Sequence, residues 1–261
     1  METNYLDLKG QVAIVTGGGS GIGRSIAIEF AKAGANVVLA SRRLKVLAET
    51  SDEIKTLGVR SLCVSTDTSQ RASVDNLVRT TMAEFGVADI LVNNAAIQDD
   101  GVPLLHLSED AWDSVIDTNL KGYFLCCQAV GKTMVEHKKG KIINIASIAG
   151  FVPAATGGVY NISKAGVIML TKILARQLAS CNIRVNAIAP GYVNTPMTEA
   201  ARRDLERLRK IEAFIPLGHM AEPIDIAHAA LFLASEASKH MTGHTMLLDG
   251  GQLLQYKYGV E

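Results

Sequence analysis

Short apolar runs rich in β-branched residues recur along this chain, and each is followed by a stretch whose apolar positions fall three or four apart. The runs cover residues 11–16 (Gln-Val-Ala-Ile-Val-Thr), 36–40, 61–65, 88–96, 141–146, 183–189 and 245–248. Unbroken apolar runs of this length read as strands buried on both faces. Between them, Ile22, Ile26 and Phe30 mark a helix that Gly34 ends, and 44–57 forms the next. A third carries Val74, Leu77, Val78, Met82 and Phe85. A fourth starts at Ser108 as its cap and carries Trp112, Val115, Ile116, Leu120 and Phe124. Further helices are expected over 160–179 and over 224–234, the latter begun by Pro223. Strands alternating with helices throughout predict an α/β fold: a doubly wound parallel sheet of seven strands, covered on both faces. No repeat, linker or low-complexity tract interrupts it, so residues 1–261 read as a single domain. The longest departure is 192–219, where a charged helix over 200–214 reads as a substrate-covering segment. Asp99-Asp100-Gly101 reads as a turn.

Composition narrows the function. Hydrophobic residues make up 48% of the 261, enough for a sizeable core, and formal net charge is zero. No strong field draws nucleic acid or an anionic membrane, and the aromatic-basic interleaving of a nucleic-acid groove is missing. No run approaches the ~18 apolar residues of a membrane span. Residues 1–10 are polar and acidic, so no signal peptide is expected and a cytoplasmic location is. Cys63, Cys126, Cys127 and Cys181 show no metal-ligand spacing and read as free thiols in a reducing compartment, with no metal site.

The chemistry collects at the ends of the strands. Gly17-Gly18-Gly19-Ser20-Gly21-Ile22-Gly23 lies between the first strand and its helix, the setting of a dinucleotide loop. Glycines let the backbone approach a pyrophosphate, and the helix start offers it free N–H groups. The spacing is G-x-x-x-G-x-G through Gly17, Gly21 and Gly23; Arg24 stands where the generic G-x-G-x-x-G would end. At the second strand's end an acid would bind a ribose 2′-hydroxyl, but this chain has Ser41-Arg42-Arg43. A guanidinium there favours a 2′-phosphate, hence NADP, with NAD possible; Arg43 fits equally a solvated helix start. Asp67, with Thr68 after it, fits either a helix cap or a contact to an adenine amino group. Asn93 is expected to be structural. Asn119, an amide among apolar helix positions, is either satisfied internally or holds a water, and Gly122 one turn on allows close packing. Ser147 ends the fifth strand, and 150–158, with Pro153, can curve around a ligand. Tyr160 and Lys164 lie four apart, so a helix puts them on one face. An ammonium beside a phenol is expected to lower the phenol's pKa toward neutrality, making it fit to give or take a proton.

With these pieces in order, the chain resembles the short-chain dehydrogenase/reductase family over essentially its whole length. The matches are Thr16-Gly17-x-x-x-Gly21-Ile22-Gly23, Asn93-Asn94-Ala95, Asn119, Ser147, Tyr160-x-x-x-Lys164 and Pro190-Gly191. The resemblance implies a Rossmann-type sheet and NAD(P)-dependent oxidation of a secondary alcohol or reduction of its ketone. Tyr160 would be the acid/base and Ser147 would hold the substrate oxygen. Lys164 would tune Tyr160 and hold the nicotinamide ribose, and Asn119 would fix a water joining Lys164 to solvent. Ser20 and Ile22 would sit at the phosphates, Asp67 at the adenine, and Val193 and Thr195 at the carboxamide. Thr68, Asn94, Ala95, Pro190 and Gly191 complete the expected cofactor set. Gln98, Ile148, Ala149, Phe151, Gly157, Tyr192 and Met197 would build, with Ser147 and Tyr160, a mostly apolar pocket for a small neutral carbonyl compound. The six histidines fall outside it. Two departures stand out: Ala96 where the family commonly has Gly, and Ser41 in place of the acid of NAD-preferring members. Family members are usually homotetramers, and Leu253, Leu254 and residues 256–258 suit burial against another copy. A non-catalytic nucleotide-binding protein on the same fold is the competing function. It would not require Asn119, Ser147, Tyr160 and Lys164 together.

Overall fold

The computed structural model of the chain describes residues 5–153 and 157–255. The expectation placed on 256–258 lies outside them, as do three positions of the curved segment 150–158. In chain order the elements are β1 (Val12–Thr16), α1 (Gly21–Lys32), β2 (Asn36–Ser41), α2 (Leu44–Thr56), β3 (Ser61–Ser65), α3 (Arg71–Phe85) and β4 (Ile90–Asn93). There follow α4 (Glu109–Ile116), α5 (Gly122–Glu136), β5 (Gly140–Ile145), α6 (Val159–Leu178), β6 (Ile183–Pro190), α7 (Glu199–Arg203), α8 (Leu205–Ala213), α9 (Pro223–Ala234) and β7 (Thr245–Leu248). All strands are parallel, in the order β3-β2-β1-β4-β5-β6-β7.

Alternation along each strand divides the core. Ala13 and Val15 of β1 pack with Ile26 and Phe30 of α1, Leu47 of α2 and Leu233 of α9 on one face. Val12 and Ile14 pack with Leu77 of α3 and Leu125, Val130 and Met134 of α5 on the other. Every residue of β1, β4 and β5 is buried, the polar Thr16, Asn93, Lys141 and Asn144 included, as strands covered on both faces require. After β3 the chain returns to the far side of β1, so strand order reverses between β1 and β4. The crevice that this reversal opens at the carboxyl ends is where open α/β sheets bind ligands.

Three boundaries differ from the sequence pattern. β4 stops at Asn93 because Thr16 Oγ1 takes the N–H groups of Asn94 (2.9 Å) and Ala95 (3.2 Å) in place of a ladder partner. The helix from Ser108 is interrupted by a π-turn at Asp117–Lys121, where Asn119 sits. The helix expected over 200–214 breaks at Asp204, whose extended backbone and carboxylate cap α8 by accepting from Glu206 N–H and Arg207 N–H. Among the described residues no helix is long and apolar enough to cross a membrane.

Candidate active site

The phosphate cradle is built by backbone. Gly17 (φ +68°) and Gly21 (φ +52°) are left-handed, and a Cβ on Gly17 would lie 2.7 Å from Asn94 Nδ2. Ser20, the N-cap of α1, makes no side-chain cap, which leaves the first-turn N–H groups for an anion. Gly17, Ser20, Gly21 and Ile22 line one chamber at the switch point. Ser41, Arg42 and Arg43 line its far end, Asp67 and Thr68 its side, and Asn94, Ala95 and Thr195 its inner wall. Glycine cradle, uncapped helix start and paired guanidinium groups fit a dinucleotide phosphate. Gly23 does not line the chamber: it packs beneath the loop, where a Cβ would fall 2.4 Å from the Gly17 carbonyl oxygen. Asp67 does not cap α3 directly; its Oδ1 accepts from Ser69 N–H (3.0 Å) and Ser69 Oγ (2.7 Å), in a turn before the helix. Thr66, Ile97 and Thr118 also line the chamber; none was foreseen, though each adjoins a residue singled out by sequence, Asp67, Gln98 and Asn119 respectively.

A second chamber, of about 400 Å³, opens onto the first. Ile22, Asn94, Ala96, Thr195 and Met197 belong to both walls, so Ala96 stands at the waist between them. Ser147, Tyr160 and Lys164 converge on this second chamber, and Pro190, Gly191 and Val193 line it too. Ser147 follows β5, and its Oγ accepts from Ala149 N–H (3.1 Å). Tyr160 and Lys164 share a face of the first turns of α6. Lys164 is 2% exposed; its Nζ donates to the Ile145 carbonyl (2.8 Å) and lies 3.5 Å from Tyr123 Oη. Its ammonium sits between two rings, 5.1 Å from the centre of Tyr123 and 5.6 Å from that of Tyr160.

Burial drives Lys164 down to about 7. Burial pushes the Tyr160 phenol up to about 12; the adjacent Ser147 hydroxyl pulls against this, and the Asp99 carboxylate adds to it. This reverses the expected depression of Tyr160. Loss of solvent outweighs whatever the lysine supplies, and the nearest partner of that lysine is the Ile145 carbonyl rather than the phenol. Asn119 is satisfied internally. Its Oδ1 accepts from Ile97 N–H (2.9 Å), and its Nδ2 donates to the Ile97 carbonyl (2.8 Å) and Ser163 Oγ (3.2 Å). Its amide lines neither chamber. Asn93 is structural as expected, donating to Asn144 Oδ1 (2.9 Å) within the core. Gly122 allows close packing, against Thr68.

Of the expected substrate wall, Gln98, Ile148, Ala149, Tyr192 and Met197 line the second chamber. Phe151 does not: it is 47% exposed outside it. Gly157 also falls outside, packed beneath Asp99. Val152, Pro153, Asn161 and Thr198 join the wall without having been foreseen; Asn161 adjoins Tyr160, and Val152 and Pro153 lie in the segment read as curving. Asp99 was read only as a turn residue. None of the six histidines lines either chamber, and no metal-ligand cluster occurs among the described residues.

A family model described as enoyl-(acyl carrier protein) reductase matches residues 17–252. The 3-oxoacyl-(acyl-carrier-protein) reductase of Staphylococcus epidermidis is 42% identical over 243 residues, covering 93% of this chain and 98% of that protein. A short-chain type dehydrogenase/reductase from Mycobacterium marinum superposes with a TM-score of 0.89 at 35% identity, over 95% of this chain and 98% of that one. A structure from Agrobacterium tumefaciens with bound NADP gives a TM-score of 0.89 at 38% identity, over 97% and 100%.

Proposed function

The chain belongs to the short-chain dehydrogenase/reductase family and is an oxidoreductase of CH–OH and keto groups, and on that premise we propose that it interconverts a secondary alcohol and its ketone with NADP(H), Tyr160 serving as acid/base. The observation that carries the reading is the convergence of Ser147, Tyr160 and Lys164 on one chamber that opens directly onto the phosphate cradle. The bound nicotinamide would supply or accept the hydride. Tyr160 gives its proton to the oxygen of the reduced carbonyl, or takes it from the alcohol. Ser147 donates a hydrogen bond to that oxygen and stabilises its growing charge. Lys164, poised near neutrality, is suited to return the proton that Tyr160 gives up. Asn119 acts by fixing Ile97, whose neighbours Ala96 and Gln98 form the chamber wall.

Arg42, with Arg43 beside it, supports NADP, since two positive groups and no acid follow the end of β2 where the cradle is lined. The second chamber offers an apolar wall, Gln98 as a polar handle and no charged side chain besides Lys164. A small neutral ketone or 3-oxo ester fits it better than an anionic sugar derivative. Four free thiols among the described residues suit a reducing compartment such as the cytoplasm. Assembly into a homotetramer accounts for apolar helix faces left outside the core.

Absorbance of the reduced nicotinamide, followed with neutral ketones and alcohols and each cofactor, tests the reading. Tyr160→Phe is expected to keep cofactor affinity and lose turnover by roughly a thousandfold; full activity in that variant removes Tyr160 as the acid. Arg42→Ala is expected to raise KM for NADPH by about tenfold or more while leaving NADH nearly unchanged. Equal effects on both would remove the phosphate contact.

A further inference from the structure

The helix that carries Tyr160 supplies no side chain to its own start. Its N-cap is Gly158 (φ +122°), so the orphan N–H groups there need an acceptor from elsewhere. Asp99, from the turn after β4, provides it: Gly158 N–H donates to Asp99 Oδ2 at 3.0 Å and Tyr160 N–H donates to the same oxygen at 3.1 Å. The other carboxylate oxygen, Oδ1, accepts from Gly101 N–H (3.3 Å) and so shapes its own turn. Space for this approach depends on the residue before the cap. A Cβ on Gly157 would lie 2.7 Å from Asp99 Oδ1, and φ of +74° there disfavours any side chain.

We propose that Asp99 is a positioning residue for Tyr160, clamping the backbone of the acid/base to the opposite wall of the substrate chamber. This rests on Tyr160 being the acid/base of the proposed reaction. The clamp joins two walls that the chain separates by some sixty residues. Gln98, next to Asp99, lines one side; Tyr160 lines the other. A carboxylate at a helix start is favoured by the helix dipole and by charge-assisted hydrogen bonds. The carboxylate also places a negative charge beside the phenol and helps hold it protonated. The groups that face Tyr160 are Lys164 from its own helix, Ser147 after β5, Tyr123 from α5 and Asp99 from the turn. Of these, Asp99 alone is a carboxylate.

The test pairs Asp99→Ala, which removes the acceptor, with Asp99→Asn, which keeps an acceptor oxygen but not the charge. Hydrogen–deuterium exchange of the full-length protein, read on peptides spanning 157–163, needs no substrate. Exchange there is expected to speed up about tenfold in Asp99→Ala and to stay near wild type in Asp99→Asn. With NADPH and ethyl acetoacetate as the probe, Asp99→Ala is expected to lose about tenfold in kcat with KM for NADPH unchanged, and Asp99→Asn to recover most of it. In Asp99→Asn the high-pH limb of ketone reduction moves to lower pH, a change that loss of a merely structural contact would not produce; that shift stands alone should the alanine variant fail to fold. Unchanged exchange and an unmoved limb overturn the proposal. Faster exchange in Asp99→Ala with full turnover in Tyr160→Phe would leave the clamp standing and overturn the acid/base assignment instead.

Discussion

An ammonium taken out of water favours its neutral form, and around Lys164 a carbonyl, a phenol oxygen and two aromatic faces stand in for solvent. The sign of the stability effect follows from linkage. Lys164 titrates near 7 in the folded chain and near 10.5 when unfolded, so between those values the unfolded chain holds more protons and stability rises with pH. Below about 7 both states are charged and the folded state bears the full desolvation cost, of the order of a few kcal/mol. Lys164→Met is therefore expected to abolish turnover yet raise the thermal midpoint at neutral pH by roughly 5 °C or more. The gain should shrink as pH climbs toward 10.5. Thermal unfolding of both proteins across pH checks it, and a variant less stable than wild type at pH 7 would show that the pocket solvates this amine well. The i, i+4 placing of Tyr160 and Lys164 could be read from the sequence because helix geometry fixes it. Which of the two wins the exchange of charge could not, because burial comes from β5 and α5, elements that the spacing of the pair does not mention.

At the scale of elements, the glycine loop could be read from sequence because its backbone admits so few other residues, while its neighbours could not. Gly23 is the sharpest case. A methyl there would meet the Gly17 carbonyl at 2.4 Å and Asn94 Nδ2 at 2.5 Å, both part of the packing that holds the cradle. Gly23→Ala is expected to abolish cofactor binding, measured by titration with NADPH, and to lower stability by about 1–3 kcal/mol. Gly131, within α5, is the contrast: nothing lies within 4 Å of an added Cβ. Gly131→Ala is expected to add about 0.5–1 kcal/mol by chemical denaturation and leave kcat and KM unchanged. The early end of β4 was hidden because the hydroxyl that ends it, Thr16, lies 78 residues before Asn94. The clamp on α6 was hidden for the same reason, Asp99 and Tyr160 being 61 apart. Local propensity reports a turn at Asp99; only the fold shows what the turn's carboxylate reaches.

For the whole molecule, strand–helix alternation carried the topology, since right-handed parallel crossovers leave few ways to arrange seven strands. What alternation leaves open is the outer surface. On α6, Ile162, Met169 and Ile173 form one stripe on the side away from the core, and they are 41%, 54% and 47% exposed. Phe124 of α5 is exposed as well, and β7 is an edge strand with Leu247 turned outward. Apolar stripes on neighbouring helices and an apolar sheet edge are surfaces that a lone protein in water tends to cover. A second copy offers the same stripes related by a two-fold axis, and zero net charge raises no barrier to approach. Two such surfaces, helix pair and sheet edge, generate four copies rather than two. Sedimentation of the wild-type protein at micromolar concentration is expected to give a tetramer. Met169→Glu with Ile173→Glu is expected to leave a dimer held by the β7 edge. Because the inner face of the same helix carries Tyr160 and Lys164, turnover in that variant should fall in step with assembly, recovering as concentration rises. A wild-type chain that sediments as a monomer would mean that these stripes stay wet and that the helix bearing the chemistry needs no second copy to hold it.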